Sequence, residues 1–251
     1  MVTELGLTGK RVVVTGAAGG LGRAFARAFA EAGAVVLAAD INGEGAAETA
    51  AMLGGTVSAA AVDVTDTAST DALAALAAQR MGGTDVLVNN AALYGGLQRR
   101  RFEEIDADVW DAVMRVNIKG VWQMCRAFSP SLRTSGAGSI INVASATVFS
   151  GSPQWMHYVA SKGAVIAMTR TMAREMGADN VRVNALAPGF TLTEASLDLM
   201  PDAKSYGVDR ASLKRNAEVE DITGGALYLA SPLAGFVTGQ TMVIDGGKQF
   251  I

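Results

Sequence analysis

Seven short runs of apolar residues, at 11–15, 34–39, 56–62, 86–89, 139–144, 181–187 and 241–244, constrain the fold more than any other feature of this 251-residue chain. Most are continuously apolar rather than alternating with polar residues. A strand of that kind must be covered on both faces, which is the situation of a parallel sheet between two layers of helix. The intervening stretches, near 20–32, 44–53, 67–80, 106–129, 155–177 and 220–230, are rich in Ala, with Val, Leu and Met recurring among them. They read as helices packed closely on a sheet. The alternation predicts an α/β domain, doubly wound, with seven parallel strands and helices on both sides.

The pattern runs on to residue 244 without a Pro-, Gly- or Ser-rich linker, so residues 1–251 read as one domain. One segment, about 189–216, breaks the rhythm with Pro201, Gly207 and scattered charges. It reads equally as a substrate-binding cover or as a solvated loop. The net charge of −3 gives no electrostatic reason to expect nucleic acid or an anionic membrane as a partner. The single cysteine, Cys125, rules out an intramolecular disulfide framework and fits a reducing compartment. The opening MVTELGLTGK lacks the basic region and long apolar core of a secretory signal, and no apolar run approaches the ~20 residues that span a bilayer. A cytoplasmic protein is expected.

The first strand leads directly into Thr15-Gly16-Ala17-Ala18-Gly19-Gly20-Leu21-Gly22 and then a helix. A glycine triplet is weak evidence alone, but its position between first strand and first helix gives it weight. Gly16 permits a sharp turn, Gly20 a close backbone approach to a pyrophosphate, and Gly22 tight packing of helix on strand. The phosphates would sit at the helix N-terminus, where free N–H groups and the dipole favour anions. Asp40 follows the second apolar run, with Ile41 beside it. A carboxylate there accepts hydrogen bonds from ribose hydroxyls and repels a 2′-phosphate, which favours NAD over NADP. The competing reading of Asp40 is a cap for the next helix, which the following Asn42-Gly43 makes plausible. Asp63-Val64, after the third strand, is a candidate for adenine contact. Asn89-Asn90-Ala91-Ala92, after the fourth, is a candidate for holding backbone beside the cofactor. Strand ends also carry Asp and Asn simply as caps.

Tyr158 and Lys162 stand at i and i+4, on one face of a predicted helix. An ammonium beside a phenol stabilises the phenolate, and a phenol so tuned can give a proton to a carbonyl or take one from an alcohol. Ser145, at the end of the fifth strand, could hydrogen-bond the same substrate oxygen. A Tyr-x-x-x-Lys pair alone is common on helix surfaces. It becomes specific in company with the glycine loop, the acidic residue after the second strand and a serine at a strand end.

With these motifs in place the chain resembles the classical short-chain dehydrogenase/reductase family, essentially end to end. The resemblance rests on Thr15-Gly16-x-x-x-Gly20-x-Gly22, Asp63-Val64, Asn89-Asn90-Ala91-Ala92, Asn117, Ser145, Tyr158-x-x-x-Lys162, Pro188-Gly189, Gly239-Gln240 and Asp245-Gly246-Gly247. It implies a Rossmann-type fold, with Tyr158 as general acid/base and Lys162 on the nicotinamide ribose. It further implies that Ser145 polarises the substrate oxygen and that Asn117 holds a water linking the lysine to solvent. Gly16, Gly19, Gly20, Leu21, Gly22, Asp40, Ile41, Asp63, Val64, Asn90 and Ala91 would hold the cofactor, together with Pro188, Gly189, Thr191 and Thr193 at the nicotinamide end. The family's usual Asn-Asn-Ala-Gly ends here in Ala92, adding a methyl on the substrate side.

The resemblance also places a substrate pocket at Tyr94, Thr147, Phe149, Gln154, Trp155 and the 190–200 segment, where the aromatics suggest an apolar or ring-bearing substrate. Glu194 and Lys204 could instead meet a polar one. His157, adjacent to Tyr158, points elsewhere on a helix, and Cys125 reads as a packing residue. No His/Cys/carboxylate cluster has metal-ligand spacing, so no metal is expected. The helices at 106–129 and 155–177 are apolar over much of their circumference and must be buried on more than one side, which with the resemblance suggests a homotetramer. The expected activity is oxidation of a small secondary, cyclic or aryl alcohol, or reduction of its ketone, with NAD(H). The alternatives are an NADP-dependent ketone reductase and a non-catalytic NAD-sensing protein.

Overall fold

The computed structural model describes residues 5–199, 202–206 and 208–251; Pro201, Gly207 and the end of the 190–200 segment lie outside the described residues. Seven strands, β1 (Arg11–Thr15), β2 (Val35–Asp40), β3 (Val57–Ala61), β4 (Val86–Asn89), β5 (Ser139–Val143), β6 (Arg182–Pro188) and β7 (Thr241–Ile244), form one all-parallel sheet. Their order is β3-β2-β1-β4-β5-β6-β7. The chain winds outward from β1 to β3, then starts again at β4 and winds the other way. Loops leaving the C-terminal ends of β1 and β4 therefore part to opposite faces and leave a crevice between them, where open sheets of this kind bind ligands.

The continuous apolar runs have their explanation in two cores. Val12 and Val14 of β1 face a cluster with Phe25 and Phe29 of α1 (Gly20–Glu31) and Ile222, Ala226 and Leu229 of α10 (Val219–Ala230). Val13 between them faces the other side, against Leu73 of α3 (Thr67–Met81), Phe128 and Leu132 of α5 (Val121–Thr134) and Val165 of α7 (Met156–Met176). Alternate residues thus serve opposite layers, so neither set can be polar. Among the exceptions are amides. Asn89 donates to the Asn142 carbonyl at 2.9 Å, and Asn142 donates to the Thr169 hydroxyl at 2.9 Å, crossing from β4 to β5 to α7. Helix starts follow side-chain caps: Asn42 accepts from Gly45 N–H at the start of α2 (Gly43–Leu53), and Asp66 from Ser69 N–H at the start of α3.

The strands and most helices fall within a residue or two of the sequence expectation. The helix predicted over 106–129 differs. It is α4 (Ala107–Met114), a π turn at Arg115–Gly120, and α5, which continues to Thr134. Pro130 does not stop it. The N–H that proline lacks would have bonded the Arg126 carbonyl, and the Ser129 hydroxyl donates to that carbonyl instead at 3.0 Å. The irregular 189–216 segment contains two short helices, α8 (Glu194–Leu199) and α9 (Ala203–Tyr206), and a further short helix, α6 (Thr147–Ser150), follows β5. No described helix is long and apolar enough to cross a membrane.

Candidate active site

β1 ends at Thr15, and the chain turns sharply at Gly16, whose φ of +68° suits glycine. Gly22 lies so close beneath that a Cβ on it would fall 1.8 Å from the Gly16 carbonyl oxygen. The Asn90 side chain donates to the carbonyls of Thr15 (3.0 Å) and Gly16 (3.2 Å), while the Thr15 hydroxyl accepts from the N–H groups of Asn90 and Ala91. The end of β4 therefore clamps the loop leaving β1. α1 begins at Gly19 with no side-chain cap, so its first N–H groups are available to an anion. Where Cβ atoms on Gly19 and Gly20 would stand, the nearest atoms are Glu194 Oε2 and the Thr193 side chain, each at 3.7 Å. This uncapped, open cradle fits the pyrophosphate of a dinucleotide, with the exposed Glu194 carboxylate opposing it.

Asp40 closes the far side. Its two oxygens accept from Ala18 N–H (3.0 Å) and Asn42 N–H (2.9 Å), bracing the glycine loop against the turn after β2. Asn42, rather than Asp40, caps α2. The sequence shows no cation within the loop, but folding brings one under it: Arg23 donates to Thr49 Oγ1 at 2.9 Å and to the Ala18 carbonyl.

At the other end of the crevice, β5 delivers Ser145 and α7 delivers Tyr158 and Lys162. The Ser145 hydroxyl hydrogen-bonds the Tyr158 phenol and accepts from Thr147 Oγ1 at 3.0 Å. Lys162, 2% exposed, donates to the Val143 carbonyl at 2.8 Å, with its nitrogen 5.7 Å from the Tyr158 ring centre. The i, i+4 spacing predicts a phenol pulled down by the ammonium. In the structure desolvation wins for both groups. Burial pushes the Tyr158 phenol up, with Tyr94 adding to it and only the Ser145 hydrogen bond opposing, and burial brings the Lys162 ammonium down to about 8. Asn117, wholly buried in the π turn, accepts from Leu93 N–H at 2.7 Å and donates to Ser161 Oγ at 3.1 Å, and Ser161 Oγ donates to the Tyr158 carbonyl. It thus ties the Tyr158–Lys162 turn of α7 to the loop after β4.

These groups share one cleft of about 690 Å³. Its wall includes Gly16, Gly19, Gly20, Leu21, Gly22, Asp40, Asn90, Ala91, Pro188, Gly189, Thr191 and Thr193 on the cofactor side, and Tyr94, Thr147 and Trp155 around Ser145 and Tyr158. Ala92 and Glu194 also line it. Six residues expected at the site lie outside this wall. Ile41 is exposed beyond the rim. Asp63 caps its own turn through Thr65 N–H (2.8 Å), and Val64 is buried over Gly120, its carbonyl taken by Gln123. Phe149 turns from the cleft to pack on the core, because α6 carries it round toward the sheet. Gln154 and Lys204 likewise stand outside the wall. His157 is buried against the Trp155 ring, and Cys125 is buried with its thiol pushed up to about 12, which makes it inert. Among the described residues no group of three His, Cys, Asp or Glu could hold a metal.

Phe190 and Asp198, within the expected 190–200 segment, are in the wall, and the sequence reading misses Arg99, Tyr206, Lys248 and Gln249, also in the wall. Lys248 and Gln249 had a signal. Asp245-Gly246-Gly247 follows β7, and glycines at φ +67° and +75° turn the chain back over the cleft.

The family model described as enoyl-(acyl carrier protein) reductase matches residues 16–249. The chain is 39% identical over 244 residues to a 3-oxoacyl-[acyl-carrier-protein] reductase of Thermotoga maritima, covering 96% of this chain and 98% of that protein. It is 37% identical to a D-threitol dehydrogenase of Mycolicibacterium smegmatis, covering 96% and 93%. The crystal structure of a 3-ketoacyl-(acyl-carrier-protein) reductase from Brucella melitensis complexed with NADH matches with a TM-score of 0.91 at 31% identity, over 97% of this chain and 100% of that one. Likeness of this extent, on a sheet wound in this order and carrying these motifs, makes the chain an oxidoreductase of the classical short-chain dehydrogenase/reductase family.

Proposed function

We propose that this protein is an NAD(H)-dependent alcohol dehydrogenase or ketone reductase, interconverting a small secondary alcohol, cyclic or aryl forms included, with its ketone. The observation that carries this is the Ser145–Tyr158–Lys162 cluster opening into the same cleft as the uncapped N-terminus of α1. Gly16, Gly19, Gly20, Leu21 and Gly22 would hold the pyrophosphate, Asp40 the adenosine ribose, and Lys162, Pro188, Gly189, Thr191 and Thr193 the nicotinamide end. When bound, the dinucleotide supplies the hydride donor or acceptor.

The chain's own residues manage the proton. Ser145 and Tyr158 share a hydrogen bond and converge on one substrate oxygen. The raised phenol remains protonated at neutral pH and is poised to give its proton to a carbonyl oxygen as reduction builds charge there. In oxidation the phenol first gives up its proton by way of Lys162, whose pKa is about 8, and the phenolate then takes the alcohol proton. Asn117 keeps this turn in register, and a water on it would complete the route to solvent. The Asp40 carboxylate in the wall supports NAD, as does the NADH held by the Brucella reductase. A second reading, an NADP-dependent ketone reductase, draws on Arg23 beneath the loop. A non-catalytic NAD sensor would have no use for the complete Ser-Tyr-Lys set.

The same reading makes the protein a cytoplasmic homotetramer with neither nucleic acid nor membrane as a partner. Exposed large apolar side chains support this: Val109, Trp122 and Met156 on α4, α5 and α7, and Leu233 and Phe236 after α10. The deciding experiment is Tyr158→Phe, assayed at 340 nm against a panel of secondary alcohols with NAD and the matching ketones with NADH. Turnover is expected to fall about 10²–10⁴-fold with the fold intact by circular dichroism. Survival of more than a few per cent of turnover would overturn the mechanism.

A further inference from the structure

Three cations converge on one aromatic ring at the substrate end of the cleft. The guanidinium carbons of Arg99 and Arg210 each lie 5.4 Å from the centre of the Tyr206 ring, and the Lys248 ammonium lies 5.8 Å from it. Arg99, Tyr206 and Lys248 line the same cleft as Tyr158. The three come from distant parts of the sequence: the loop after β4, the segment after α9, and the turn after β7. Like charges gathered so closely repel one another unless an opposing charge joins them. Among the described residues, neither Arg210 nor Lys248 forms an ion pair. Of the carboxylates in the cleft wall, Glu194 reaches to Gly19 at the glycine loop, and Asp198 makes no ion pair with Lys248 or Arg210.

A wall of rings joins this cluster to the reacting groups. Tyr94 stacks on Trp155 (5.8 Å between centres, 19° between planes) and leans on Tyr158 at 5.3 Å. Phe190 meets Tyr206 edge-on at 5.1 Å. The passage is therefore apolar in its middle, hydrogen-bonding at the Ser145–Tyr158 end and cationic at the other. A neutral polyol or simple alcohol makes no use of such a charge.

We propose that the substrate carries an oxyanionic group, a carboxylate or a phosphate, seated between Arg99 and Lys248 while its carbinol or carbonyl carbon lies at Ser145 and Tyr158. This rests on the cleft being a hydride-transfer site, and it names the class of substrate that site takes. Arg210, beside the same Tyr206 ring, adds positive potential.

The test uses matched probes that differ in charge: 3-hydroxybutanoate against 2-butanol with NAD, and dihydroxyacetone phosphate against dihydroxyacetone with NADH. The anionic member of at least one pair should show a kcat/KM at least tenfold above its neutral partner. In Arg99→Met and Lys248→Met that preference should fall at least tenfold, with the change in KM rather than kcat. The pair that shows the preference distinguishes carboxylate from phosphate. A preference of one or less, or one that both variants retain, overturns the proposal and leaves the oxidoreductase reading standing. A second arm needs no turnover: acetoacetate and dihydroxyacetone phosphate are titrated against tryptophan fluorescence, which Trp155 in the cleft wall should report. Anion binding that both variants weaken tenfold, in a protein that turns over none of the probes, keeps the anion site and rejects these probes as substrates, and Tyr158→Phe on the alcohol panel then decides the hydride-transfer reading. Neither binding nor turnover overturns the anion site.

Discussion

Lys162→Met replaces a buried ammonium by an uncharged side chain of similar length, and linkage fixes how the difference in stability must vary with pH. Burial brings Lys162 from 10.5 to about 8. At about 1.4 kcal/mol per pH unit, this displacement is a penalty of about 3 kcal/mol against the folded, protonated state. Below about pH 8 both folded and unfolded chains carry the proton, and the native protein bears the full cost. Between about 8 and 10.5 the folded chain has released its proton and the unfolded chain has not, so native stability rises with pH; above 10.5 the penalty is gone. The methionine variant has no such group. Its stability relative to the native chain should therefore fall by about 3 kcal/mol between pH 7 and pH 10.5. Losing the 2.8 Å hydrogen bond to Val143 strands a buried carbonyl and costs a further ~1–3 kcal/mol, but it does so at every pH and leaves the slope alone. Urea unfolding of both proteins at pH 7, 8.5 and 10, without dinucleotide, measures the difference. A gap that stays constant across that range would mean the ammonium is solvated, and the reasoning fails.

Three further outcomes are expected. Gly22→Ala places a methyl 1.8 Å from the Gly16 carbonyl oxygen and should cost about 1–3 kcal/mol, lowering the melting temperature by several degrees and abolishing NADH binding in a fluorescence titration; an unchanged affinity would show that the loop yields. Asp40→Ala frees Ala18 N–H and Asn42 N–H and removes the charge opposing a 2′-phosphate, so the ratio of kcat/KM for NADP to that for NAD should rise at least tenfold; a wild-type preference for NADP would remove the role given to Asp40. Glu194→Gln takes a charge from beside Gly19 and should tighten NADH about two- to fivefold, the range expected of a helix-terminus charge; weaker binding would mean that Glu194 holds the cofactor rather than opposing it.

The strands were legible because burial on two faces leaves a local mark, a run in which apolar residues follow one another without alternation. The glycine loop, Ser145 and Tyr158 were legible because they stand at strand ends or at helical spacing. What escaped depends on partners distant in sequence. The π turn is stabilised by Asn117 bonding to Leu93 and Ser161, and nothing between 106 and 129 announces it. The extension of α5 past Pro130 depends on the Ser129 hydroxyl standing on the Arg126 carbonyl. Arg99, Tyr206 and Lys248 lie in segments without periodicity and meet only when three loops close over the cleft. Phe149 misled for the opposite reason: four residues beyond Ser145 it is near the site in sequence, but one turn of helix aims it at the core.

The π turn at Arg115–Gly120 also sets a rule about length. It holds one residue more than a regular helix would need over the same path. Deleting a residue there would let a regular helix follow that path, leaving Val113 beside Trp155 and Leu97 and α5 in its place, while the residues of the turn itself shift by one position. Asn117 would then swing off Leu93 and Ser161. A one-residue deletion in the turn should therefore keep the helix and lose the tie between the loop after β4 and α7.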